Sequence, residues 1–82
     1  MKPAEARRLA SERTMADLRE AAEALSDEKD PFFEVHGEDH GERLTHVLLA
    51  QRIRERMDEH GEDLKDAFRH VMAGVRGVLT ND

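Results

Sequence analysis

The stretch Leu44-Thr45-His46-Val47-Leu48-Leu49-Ala50 decides how this chain must fold, because on a helix it carries apolar side chains around nearly the whole circumference. A helix that is apolar all round has to be covered on more than one side. Just upstream, Asp39 with Glu42 three positions later has the form of a capping box, so a helix is predicted over 41–60, closed by Gly61 in the position that favours glycine. Its second half is charged, and only Ile53 and Met57 remain apolar after Arg52. His46, Ala50, Ile53, Met57 and His60 keep the four-three-four-three spacing of a coiled-coil seam, with Leu44, Val47 and Leu48 on the other side. Two faces require two packing partners. A chain of 82 residues has few elements to offer, so a second copy of the protein is expected to supply part of the cover, with Leu44, Val47, Leu48, Phe32 and Phe33 as candidate interface residues.

Downstream, Glu62 and Asp63 put acid at the start of a further helix, where it complements the helix dipole. Leu64, Ala67, Phe68, Val71, Met72, Val75, Val78 and Leu79 then form one broad stripe at helical spacing. Behind that stripe, His70, Ala73, Gly74 and Gly77 make a face of small side chains. Two glycines inside a helix cost about 1 kcal/mol each against alanine, so the face is either tolerated fraying or a surface for close helix approach.

Upstream, Pro3 suits the first turn of a short helix over 4–11, in which Ala6, Leu9 and Ala10 are the few apolar contacts and whose ends are expected to fray. Thr14 and Asp17 form a second capping box, and Met15, Leu18, Ala22 and Leu25 repeat at helical spacing, so a second helix is predicted over 15–26, separate from the first or continuous with it. Residues 26–31 form a charged break that ends at Pro31. Phe32, Phe33, Glu34 and Val35 have strand-like composition over too short a length to stand alone. Such a segment either pairs with its copy in a second protomer or is an extended linker whose two rings plug the core. Short connections favour antiparallel neighbours for the third and fourth helices, with the second laid across them. The expected architecture is therefore one small, mainly α domain over 1–82: a bundle of three to four helices with one short extended segment near 32–35, assembled as a homodimer.

Composition narrows the function. A chain this small buries a core worth only about 3–5 kcal/mol, and self-association is a common remedy. There is no cysteine, which removes disulfides and thiolate metal sites and suits a reducing cytoplasm. No apolar run approaches the length needed to cross a bilayer, and residues 1–8 lack the apolar core of a signal peptide. A soluble, cytoplasmic protein with no membrane partner is expected. The net charge of −6 has the wrong sign for a chain that neutralises phosphates, so nucleic acid is not an expected partner. Tyr and Trp are absent and Phe32, Phe33 and Phe68 are the only aromatics, which leaves no base-stacking platform.

The segments AAEAL at 21–25, EV at 34–35, HGEDHGERLTHVLLA at 36–50, MDEHG at 57–61 and LKDAFRHV at 64–71 resemble a family of small uncharacterised bacterial proteins of about 80 residues. The likeness spans nearly the whole chain, with GED, GE and LTHVL as its most specific parts. It implies a standalone domain and brings no activity with it. The family pattern carries acids where this chain has His36 and His40, so the resemblance does not extend to those two imidazoles.

Two readings of the 36–42 loop compete. Imidazoles and carboxylates in a glycine-hinged loop meet the needs of a divalent cation, with His36, Asp39, His40 and, one turn into the helix, His46 as candidate ligands. The plainer reading assigns the acids to the helix N-terminus. His46 itself, set among apolar positions, is either a core residue with its ring hydrogen-bonded or a pH-sensitive contact. Glu34 and His36 could form an acid and base pair, but no nucleophile, phosphate-binding glycine loop or cofactor motif accompanies them. The expected function is that of a non-catalytic interaction or structural module working as a homodimer or with an unknown protein partner, and a divalent-metal-binding protein is the alternative.

Overall fold

The structure is a computed structural model that describes residues 1–80, with side chains described up to Val75. Four helices follow one another: α1 (Pro3–Glu12), α2 (Met15–Ser26), α3 (His40–His60) and α4 (Leu64–Thr80). The helix starts follow local chemistry. Thr14 accepts from the Asp17 N–H and the Asp17 carboxylate receives the Thr14 N–H, a complete capping box. Asp39 accepts from Glu42 N–H at 2.7 Å, and Asp63 accepts from Asp66 N–H at 2.8 Å. The ends of α2 and α3 use left-handed backbone. Gly61 closes α3 at φ 67°, whereas α2 closes on Glu28 at φ 59°. There the Lys29 N–H reaches the Ala24 carbonyl at 2.8 Å and the Glu28 N–H the Leu25 carbonyl at 3.1 Å, a Schellman motif built without glycine.

α3 is the central element. It packs against α1, α2 and α4, and α1 also touches α4. One core joins Ala6, Leu9 and Ala10 of α1, Leu18, Ala21 and Leu25 of α2, Val47, Leu49, Ala50 and Ile53 of α3, and Ala67, Val71 and Met72 of α4. The short first helix is anchored in this core. The three apolar residues of α1 are few but completely buried, and a break at Arg13 (φ −125°, ψ 150°) separates α1 from α2. Val78 and Leu79, the end of the predicted stripe, lie outside the described side chains, as does Gly77.

The all-round apolar run finds most of its cover within one chain. His46, Val47, Leu49 and Ala50 are buried and Leu44 is half-buried, while Leu48 stays 47% exposed. The accessible surface, 5236 Å², is close to the roughly 5,000 Å² expected of a folded monomer of this mass. Val47 is therefore a core residue rather than an interface residue, because α1 and α2 already flank α3.

Within one chain the 32–35 segment takes the linker form. Among the described residues there is no strand, and residues 31–39 form an irregular connection between α2 and α3. Phe33 enters the core at 8% exposure, while Phe32 remains 58% exposed. Their rings meet edge to face at 4.9 Å, and the Arg13 guanidinium lies 4.3 Å from the centroid of Phe33. One ring plugs the core and the other does not, so Phe33 too leaves the set of interface candidates.

Candidate functional site

The chemistry-bearing side chains of the sequence converge on the 34–36 backbone, and they hold it from two helices. From α1, Arg8 Nη2 donates to the Glu34 carbonyl at 3.0 Å, while Glu5 Oε2 accepts the His36 N–H at 2.8 Å. From α3, Arg43 Nε donates to the Val35 carbonyl at 3.0 Å. The His46 ring completes the set, with Nδ1 2.8 Å from the His36 carbonyl oxygen. Its other nitrogen, Nε2, accepts the backbone N–H of Lys2 at 2.9 Å. Because Lys2 N–H can only donate and the carbonyl can only accept, the neighbours assign the ring the tautomer with hydrogen on Nδ1. A backbone segment that pairs with no strand has its polar groups satisfied by side chains instead.

Glu5 and Arg8 form the strongest pair in this arrangement. Their two contacts, Nε to Oε1 at 2.9 Å and Nη2 to Oε2 at 2.7 Å, make a bidentate fork. Burial pushes the Glu5 carboxyl up, but the Arg8 guanidinium and the His36 N–H outweigh it and hold the group below its ordinary value. The same fork raises the Arg8 guanidinium. Neither residue stands out in the sequence, where Glu5 and Arg8 read as helix surface at a spacing of three. The only signal was that spacing, and nothing indicated that the buried carboxylate would reach residue 36.

The four candidate metal ligands are not brought together. His46 is buried with both ring nitrogens engaged. Asp39 caps α3. His36 Nε2 pairs with Glu34 at 3.2 Å on the exposed side of the loop, and His40 turns Nε2 into the protein, where it has no hydrogen-bond partner. Among the described residues no group of three or more His, Asp or Glu side chains could hold a metal ion. The plainer reading of the loop acids holds for Asp39, and Glu42 departs from it slightly. Its side chain receives the N–H of Glu38 at 2.9 Å, one residue outside the predicted box, and this bond first, with the N-terminal ammonium, lowers its carboxyl.

A second polar cluster joins α3 to α4. Arg56 Nε donates to Glu62 Oε1 at 2.6 Å, and His70 Nδ1 lies 2.5 Å from Glu62 Oε2. Burial raises the Glu62 carboxyl, and the combined pull of Arg56 and His70 brings it below its ordinary value. Of the five interface candidates, Leu48 and Phe32 stay exposed, Leu44 is half-buried, and Val47 and Phe33 belong to the core.

No helix among the described residues is long and apolar enough to cross a membrane. The fold and its side-chain-pinned connection define a small all-α protein of four helices around one core. The chain belongs to the family described as a family of unknown function (DUF6952), whose model matches residues 1–80. No curated protein matches the chain, and no solved structure does.

Proposed function

We propose that this protein is a non-catalytic interaction module that works as a homodimer, paired through the exposed face of α3 that carries Leu48. The observation behind this reading is how the candidate chemical groups are used. Glu5, Arg8, Arg43 and His46 all bind the chain's own backbone, so these four groups serve the architecture. Leu48, at 47% exposure, then remains as a large apolar side chain on the helix that the sequence marks as two-faced.

A standard interface removes about 600–800 Å² from each partner, roughly an eighth of the 5236 Å² available. Leu48 cannot supply that alone. Thr45, Arg52 and Glu55 extend its face along the exposed side of α3, with charges of both signs that suit a self-complementary contact. Light scattering over a range of concentrations tests the proposal. A mass of twice 9.4 kDa, reduced to that of one chain by Leu48→Glu with helicity unchanged, is the expected result. A single-chain mass at every concentration contradicts it.

A further inference from the structure

The face of small residues on α4 acquires a use when the cleft beside it is considered. Between α3 and α4 lies a cavity of about 260 Å³ lined by Arg52, Glu55, Arg56, His70 and Val71. Gly74 stands beside Arg52, and a Cβ there would meet nothing closer than Arg52 Nη2 at 4.0 Å. Arg52 has no ion-pair or hydrogen-bond partner among the described residues, although Glu55 stands one turn away on the same helix. Arg56 and His70 are held in place from behind, since the two Glu62 oxygens are each occupied by one of them. That leaves Arg56 Nη1 and His70 Nε2 without an acceptor among the described residues, at a cleft where the whole Arg52 guanidinium is also unengaged.

We infer that this cleft binds a small oxyanion of the phosphate class, gripped by Arg52 and met by the spare Nη1 donor of Arg56, with His70 Nε2 adding a donor only when the ring is protonated, because Nδ1 already carries the hydrogen that faces Glu62. Arginine offers a planar fork that matches phosphate oxygens, and hydrogen bonds between charged groups are about twice as strong as neutral ones. Glu62 acts as a positioning residue. It is an internal counter-ion that orients two donors, and with both oxygens already bonded it does not compete for Arg52. Glu55 on the rim sets an upper limit on affinity through its charge. This site shares Arg52 and Glu55 with the α3 face of the homodimer reading, and light scattering beside each titration keeps the failure of one apart from the failure of the other.

Melting temperature followed by circular dichroism tests the inference, with inorganic phosphate titrated against sodium chloride at matched ionic strength. Binding to the folded state raises the melting temperature by mass action. The expected result is a saturating rise in phosphate that Arg52→Gln weakens by about tenfold or more in apparent affinity, the usual effect of losing a charged hydrogen bond. Gly74→Leu, whose side chain would grow from a Cβ 4.0 Å from Arg52 Nη2 and crowd that guanidinium, should weaken the rise as well. A parallel titration with phenyl phosphate distinguishes the sources: a rise with both ligands assigns phosphate monoesters, and a rise with the inorganic ion alone assigns free phosphate. Equal melting temperatures in phosphate and chloride, or an undiminished rise in Arg52→Gln, would overturn the site.

Discussion

The His46 ring nitrogen Nδ1 lies 2.8 Å from the carbonyl oxygen of His36, and this bond ties the centre of α3 to the irregular connection that precedes it. With Nε2 accepting from Lys2, a single buried imidazole joins three parts of the chain that are distant in sequence. Removing it takes from the Lys2 N–H and the His36 carbonyl their partners in two part-buried hydrogen bonds. His46→Leu should therefore destabilise by about 2–4 kcal/mol although the site is apolar in surroundings. His46→Asn, whose amide can still donate to the His36 carbonyl, should cost less. Urea unfolding followed by circular dichroism measures both, the chain having no Trp or Tyr to report by fluorescence. Equal losses for the two variants would show that packing, not hydrogen bonding, sets the value.

Acid should weaken the protein through Glu5. Its folded-state carboxyl titrates below the ordinary value of 4.5, so the stabilisation is fully present above that pH. It is lost as pH falls below 4.5 through the lowered folded-state value. Glu5→Gln removes this contribution and also weakens the hold on His36 N–H and Arg8, at a cost of about 2 kcal/mol at neutral pH. The variant should consequently show a flatter dependence of stability on pH below 4.5 than the parent. A dependence as steep as the parent's would move the acid sensitivity to other carboxylates.

Backbone strain predicts two substitutions of opposite sign. Glu28 holds a left-handed conformation at φ 59°, which costs a residue with a Cβ about 1 kcal/mol and glycine little. Glu28→Gly should stabilise by up to about 1 kcal/mol. At Gly37 an added Cβ would lie 2.6 Å from Arg43 Cγ and 3.0 Å from Arg43 N. Gly37→Ala should then displace the side chain that holds the Val35 carbonyl and destabilise by about 1–2 kcal/mol. Thermal melts of the two variants check the signs.

Helix by helix, the fold was legible where local chemistry is self-sufficient. The Thr14 capping box and the spacing after it place α2 at the residues where it stands, and Asp39 and Gly61 bound α3 as expected. The partners of α3 were not legible. Its all-round apolar run shows that cover is needed without saying who provides it, and the short α1 provides much of it through Ala6, Leu9 and Ala10, whose small number conceals their burial. The 32–35 segment misled for a related reason. Strand-like composition records a need to satisfy backbone groups, and Arg8, Arg43 and His46 meet that need from positions 8 to 26 residues away. Contacts of that kind leave no periodic trace. Glu28 was illegible because its left-handed turn lacks the glycine that usually announces one.

The central claim is that His46 serves the architecture, with both ring nitrogens committed to backbone partners. Nitrogen-15 NMR of the histidine rings at neutral pH tests it most directly, since the protonated and bare nitrogens of an imidazole resonate far apart. The structure predicts that His46 carries its hydrogen on Nδ1 and keeps Nε2 bare, with no change on adding zinc. A hydrogen on Nε2, or a His46 signal that shifts with zinc, would contradict the account and restore His46 as a candidate ligand.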